Sequence, residues 1–297
     1  MISNKGCDVK RLLVGYDGSA PARDAVRTTV SLARSLDASV TLLTVGKIPY
    51  WIDSVSGVFM PVLSEEDFEP IATEGAQIAG GMGVEVEARV VLGEPADRIV
   101  EAADSEGYGL IVVGHRGLGG VRGLLLGSVA KRVAETAPCP VLLVRGSAPE
   151  TIKKVLVGID GSEQSLKALS TTIELTRGFD ARLTLLYVLD STMVAAVPGP
   201  PVKREMRRGL ARAGGEALEE AAERCRQAGA ECDTLQAEGR PANEISRRAR
   251  EGDYDLIALG RRGIGSLARF ALGSVSDVVL RSANRPVLLA GERAKGR

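Results

Sequence analysis

The sequence is poor in residues that stack on bases, bind metals or carry a surplus of one charge. Phenylalanine, tyrosine and tryptophan make up 3% of the 297 residues, too few for the aromatic platforms that hold single-stranded nucleic acid. His115 is the only histidine, which excludes a multi-histidine metal centre and a pair of separate Ser–His machines. The four cysteines, Cys7, Cys139, Cys225 and Cys232, form neither a C-x-x-C nor a zinc spacing, so a reduced compartment fits. Thirty-eight basic side chains balance thirty-eight acidic ones. A chain without surplus positive charge is not built as a general binder of nucleic acid or of acidic membranes. No apolar run approaches the ~18–20 residues of a membrane span. The opening MISNKGCDVKR has no apolar stretch of the kind that marks a signal peptide. A cytoplasmic location is expected, with no nucleic-acid or membrane partner.

What is present is an ordinary globular composition, 44% hydrophobic and 26% charged, with thirty-five glycines. The length suggests two domains at roughly 100–200 residues each, and the chain repeats itself accordingly. RLLVGYDGS (11–19) and KVLVGIDGS (154–162) agree at six of nine positions, at an offset of 143. GHRGLGGVRGLLLGSV (114–129) and GRRGIGSLARFALGSV (260–275) agree at eight of sixteen, at an offset of 146. Three net residues are therefore inserted between the second and third strands of the second copy. A period of half the chain is a domain duplication rather than a solenoid repeat. GSAPETI at 146–152 reads as the joint, which gives domains at 1–147 and 151–297.

Within each half, short apolar runs alternate with helical patterns. After RLLVGY, Ser19 is placed to cap a helix with Ala22, Ala25, Val26, Thr29, Leu32, Ala33 and Leu36 on one face. LIVVG and VLLVR are apolar on both faces, as buried parallel strands are. Strands separated by helices imply right-handed crossovers. The fold class is α/β: in each half, a five-stranded parallel sheet with helices on both faces. Ligands of such sheets bind beyond the carboxyl ends of the strands, at the point where strand order reverses.

The residues at those strand ends suit a phosphate chain. After strand one come Asp17 and Asp160, each followed by Gly-Ser. After strand four come Gly114-x-x-Gly117 and Gly260-x-x-Gly263, and after nine intervening residues Gly127-Ser128 and Gly273-Ser274 open a helix. Glycines allow close backbone approach, successive N–H groups form an anion nest, and a helix N-terminus offers free donors. Ser128 and Ser274 add hydroxyls, and Arg122 and Arg269 add loop charge. The bland reading is a tight strand-to-helix turn at the glycines and an Asx-turn or cap at the aspartates. No Walker A loop and no G-x-G-x-x-G after strand one is present.

G-x2-G-x9-G-S, complete in both halves, together with VGYDGS, VGIDGS and the closing CPVLLV and RPVLLA, resembles the universal stress protein family over nearly the whole chain. The resemblance implies two Rossmann-like domains, of the adenine nucleotide alpha hydrolase-like kind, with strand order 3-2-1-4-5. It further implies ATP, or ADP or AMP, in each crevice, and leaves a role for Mg²⁺ open. On this reading Asp17 and Asp160 contact the adenosine, and Val45 and Val188 read the adenine edge with their backbone. Val113 and Leu259 precede the motif, and Val129 and Val275 extend the phosphate nest.

Gly15 and Gly158 stand where the family often has another small residue or proline, which should widen the pocket floor slightly. His115–Arg116 corresponds to Arg261–Arg262 in the other half, so the sites are expected to differ in affinity; Arg116 and Arg262 complete the candidate contacts. The resemblance also implies that the apolar fifth strands, too greasy to leave as bare edges, pair antiparallel in an intramolecular pseudo-dimer, and that two chains form a homodimer. The function expected is a stress-response or signalling protein that binds adenine nucleotide with little or no turnover. A slow ATP hydrolase or nucleotidyl-transfer enzyme on the same fold, and a ligand-free scaffold, stand as alternatives.

Overall fold

The computed structural model describes residues 9–47, 50–52, 59–61, 63–118, 126–146, 151–263 and 272–291. Arg122, Arg269 and Cys7 lie outside the described residues. The chain divides into two compact units, Met1–Ala148 and Pro149–Arg297.

In the first unit the elements are β1 (Arg11–Gly15), α1 (Ala20–Leu36), β2 (Ser39–Gly46), β3 (Tyr50–Ile52), β4 (Phe59–Pro61), α2 (Glu69–Gly81), β5 (Glu87–Leu92), α3 (Pro95–Glu106), β6 (Leu110–Gly114), α4 (Ser128–Thr136) and β7 (Val141–Val144). The second has β8 (Lys154–Gly158), α5 (Glu163–Thr176), β9 (Arg182–Asp190), α6 (Ser191–Ala196), α7 (Pro200–Ala228), β10 (Cys232–Gly239), α8 (Pro241–Glu251), β11 (Leu256–Gly260), α9 (Ser274–Ser282) and β12 (Val287–Ala290).

Helix α1 forms as its sequence dictates. Ser19 holds an extended backbone and its Oγ accepts from the Ala22 N–H at 3.3 Å, satisfying one of the four orphan donors of the first turn. Ala22, Ala25, Val26, Thr29, Leu32 and Ala33 are buried on one face, and Asp37 ends the helix in the left-handed region. Ser162 caps α5 in the same way, accepting from the Ser165 N–H at 3.1 Å. The apolar strands run through the middle of each unit. Leu12, Leu13, Val14, Leu110, Ile111 and Val112 are all at 0% exposure, and burying each such side chain stabilises by about 1.5–3 kcal/mol.

Strand order within the first unit is β7-β6-β1-β2-β5 and within the second β10-β9-β8-β11-β12, all parallel. Numbered within each half, this is 3-2-1-4-5. Order reverses at the central strand. Gly15 of β1 sits beside Leu43 of β2 on one side, while Leu12, Leu13 and Val14 pair with Leu110, Ile111 and Val112 of β6 on the other.

The duplication reaches individual hydrogen bonds. Tyr108 Oη donates to Thr41 Oγ1 at 2.8 Å, and Tyr254 Oη to Thr184 Oγ1 at 2.9 Å, the same residues at offsets of 146 and 143. The halves part company after their second strands. The first has the antiparallel pair β3 and β4. In the second, Asp190 caps α6, and the 29-residue α7 follows. Arg204, Arg207 and Arg208 lie exposed on α7 as a solvated face, with Arg207 paired to Glu238 at 2.8 Å. Among the described residues no helix is long and apolar enough to cross a membrane.

Candidate functional site

In the first unit the carboxyl ends of β1, β2 and β6 and the N-terminus of α4 enclose a cavity of about 440 Å³. All ten candidates of that half line it: Gly15 and Asp17 from the β1 end, Val45 from β2, Val113, Gly114, Arg116 and Gly117 from the β6 end, and Gly127, Ser128 and Val129 at the helix.

The glycines are required first by packing. A Cβ on Gly114 would lie 2.7 Å from the Pro21 carbonyl carbon, where strand β6 meets the first turn of α1. A Cβ on Gly117 would fall on the Asp17 carboxylate, and one on Gly127 would come within 3.2 Å of Arg116 Cα. The loop is thus wound against itself and against α1 so closely that a side chain has no room. Gly15 corrects the expectation of a wider floor. A Cβ there would meet Ile99 Cδ1 at 3.0 Å and Val113 Cγ1 at 3.2 Å, so neighbouring side chains already close the space.

Asp17 ties the two halves of the crevice together. Its Oδ1 accepts from the Ser19 N–H and its Oδ2 from the Leu118 N–H, each at 3.0 Å. The Asx-turn reading holds, and the same carboxylate also fastens the loop after β6. Gly127 donates its N–H to the His115 carbonyl at 2.8 Å, which removes it from the anion-binding donors expected there. The N–H groups of Ser128, Val129 and Ala130 open α4 and have no acceptor among the described residues. They supply the positive end of a helix dipole at one end of the cavity. Arg116 also lines the cavity, with its Nε buried and, among the described residues, without a hydrogen-bond partner.

His115 does not line the cavity. Its Nδ1 lies 3.2 Å from the Val144 carbonyl oxygen. Burial, with the Arg145 and Arg116 charges behind it, pushes its pKa down to about 4, so the ring is neutral at pH 7. Its counterpart Arg261 is 2% exposed.

The second unit repeats the arrangement. A Cβ on Gly263 would fall on the Asp160 carboxylate, and one on Gly273 would lie 3.2 Å from Arg262 Cα. A Cβ on Gly260 would lie 3.0 Å from Ser165 N of α5, and one on Gly158 2.5 Å from Leu259 Cδ2. Asp160 accepts from the Ser162 N–H at 2.9 Å and its hydroxyl at 2.6 Å. Gly273 donates to the Arg261 carbonyl at 2.9 Å, and Ser274 and Val275 open α9. Val188 lies on β9 opposite Ala237.

Sequence reasoning missed several residues of the first cavity: Tyr16, Lys47, Pro95, Ile99, Leu118 and Leu126. Lys47 was within reach of the strand-end rule, because it directly follows β2. Tyr16 is 2% exposed; burial first, then the Glu74 charge, pushes its pKa up to about 12. Glu74 is itself held by Arg23 at 2.7 Å, joining α1 to α2. Among the described residues no group of three or more His, Cys, Asp or Glu could hold a metal ion.

Comparison with known proteins agrees with this fold. The profile of the universal stress protein family matches residues 8–145 and again 151–291. A universal stress protein of Mycolicibacterium smegmatis is 29% identical over 293 residues, covering 95% of this chain and 97% of the relative. Universal stress protein YxiE of Bacillus subtilis is 36% identical over 144 residues, 46% of this chain and 97% of the relative. The crystal structure of a universal stress protein from Archaeoglobus fulgidus shares the fold with a TM-score of 0.72 at 22% identity, covering 95% of this chain and 98% of its own. The chain belongs to the universal stress protein family, with two copies of the family's domain in one polypeptide.

Proposed function

We propose that each domain binds one adenine nucleotide, ATP or its ADP or AMP relatives, and that the protein is a cytoplasmic nucleotide-responsive module of the stress response. The observation that carries this reading is the pairing, in one cavity, of three open helix N–H groups with Arg116 at one end and a largely apolar wall at the other. The donors of Ser128, Val129 and Ala130 suit phosphate oxygens. Leu43, Val45, Ile99, Val113 and the exposed Leu118 suit the faces of a purine and its ribose. The phosphate chain is the group these residues fit. The backbone of His115, Arg116 and Gly117 lies against Gly127 at the helix end, and among the described residues the buried Arg116 Nε has no hydrogen-bond partner.

Binding with little or no turnover is the form of this proposal. Among the described residues lining the first cavity, Asp17 is the one carboxylate, and both of its oxygens already accept backbone hydrogen bonds. It is poorly placed to take a proton from an attacking water. The homologous set Gly158, Asp160, Val188, Leu259, Gly260, Arg262, Gly263, Gly273, Ser274 and Val275 forms the second site on this reading. Titration calorimetry of the whole chain with ATP should show two bound nucleotides. No heat, and no adenine nucleotide released on heat denaturation, would refute it.

A further inference from the structure

The two units differ directly after their second strands. Lys47 directly follows β2, two residues beyond Val45, and lines the first cavity. Its Nζ lies 3.2 Å from an Oε of Glu94. Glu94 is the N-cap of α3, and the next residue, Pro95, lines the same cavity. The ladder that pairs Gly46 with Leu92, extended by the Gly93 N–H donating to the Gly46 carbonyl at 3.0 Å, brings the two together. The ion pair therefore joins the end of β2 to the start of α3 at the rim of the cavity, beside Val45 and Pro95.

In the second unit the same register pairs Asp190 with Gly239. The positions equivalent to Lys47 and Glu94 are held by Asp190 and Arg240, with the charges exchanged. The bridge is nevertheless not made there: Asp190 and Arg240 form no ion pair among the described residues. Asp190 Oδ1 instead accepts from the Thr192 N–H at 2.8 Å and from Thr192 Oγ1 at 2.6 Å, capping α6. Because β9 runs straight into a helix where β2 does not, its terminal charge is used for capping.

We infer that the Lys47–Glu94 pair is a latch over the base-and-ribose end of the first site, so that the first domain releases its nucleotide more slowly than the second. This inference rests on the nucleotide reading above. The pair is exposed, 69% and 62% at its two side chains, so its effect is modest and salt-screened, about two- to fivefold in the release rate.

The experiment loads the full-length protein with radiolabelled ATP, chases with excess unlabelled ATP, and follows retained label on filters at 50 and 500 mM salt. The wild type should release in two phases at low salt. Lys47→Ala and Glu94→Ala should each speed the slow phase about two- to fivefold, with no further gain in the double variant. Lys47→Arg should keep the slow phase, and high salt should act on the wild type as the alanine substitutions do. A single wild-type phase, or a slow phase that Lys47→Ala and salt leave unmoved, would overturn the latch while leaving nucleotide binding intact. Retention of no label at all would instead sink the nucleotide reading, and the latch with it.

Discussion

The two oxygens of Asp17 take different partners, one in its own turn and one in the loop after β6. Removing the carboxylate therefore loosens the site from within. Asp17→Ala should lower stability by about 1–2 kcal/mol, the scale of two half-exposed hydrogen bonds to a charged group; thermal denaturation checks it, and an unchanged midpoint would show that the strap holds nothing. His115 gives a pH signature. Its folded pKa of about 4 lies below the ordinary ~6.5 of the unfolded chain. Between those values the unfolded state binds more protons, so this contribution to stability is present above about pH 6.5 and is lost as pH falls toward 4. His115→Gln should flatten the stability difference between pH 7 and pH 5 relative to the wild type. Equal slopes in the two proteins would mean the ring titrates normally.

At the scale of elements, a tyrosine has moved between neighbouring strands. The first unit has Tyr16 after β1 and Thr44 on β2; the second has Ile159 and Tyr187 at the equivalent positions. In both, the ring lies under a helical glycine. A Cβ on Gly75 of α2 would lie 2.9 Å from Tyr16 Cδ1 and 2.5 Å from Leu42 Cδ1, and one on Gly214 of α7 would fall on the Tyr187 ring. Alanine normally favours a helix over glycine by about 1 kcal/mol. Here Gly75→Ala and Gly214→Ala should both destabilise, because the methyl overpacks the sheet–helix interface; a raised melting temperature in either would contradict this packing.

Such exchanges mark the limit of what the sequence reveals. The strands were legible because VLVG and LIVVG are apolar on both faces, and α1 because Ser19 and its apolar stripe agree. The motif glycines were legible as a close approach. Their immediate neighbours, however, turned out to be Pro21 and Asp17, which only the packing of β6 on α1 reveals. Lys47, Pro95 and Ile99 come from three separate elements and meet only once the crossovers are built, so no local pattern announces them.

For the whole molecule, a chain with no net charge can hold a polyanion only by local means, and the duplication supplies those means twice. Three motif glycines in each half sit where the chain leaves the fourth strand and re-enters a helix, and among the described residues the first N–H groups of α4 and α9 have no acceptor. Proline tests this with little disturbance to the helices. It is accepted at the first helical position, and the residues before it, Gly127 at φ −70° and ψ 149° and Gly273 at φ −61° and ψ 147°, already have the extended backbone a following proline requires. Ser128→Pro and Ser274→Pro each delete one backbone donor and one hydroxyl. Calorimetric titration with ATP should give two sites per chain in the wild type, one in each single variant and none in the double, with helical content unchanged. A correctly folded double variant that still takes up two ATP would contradict the placement of the phosphates at these helix ends.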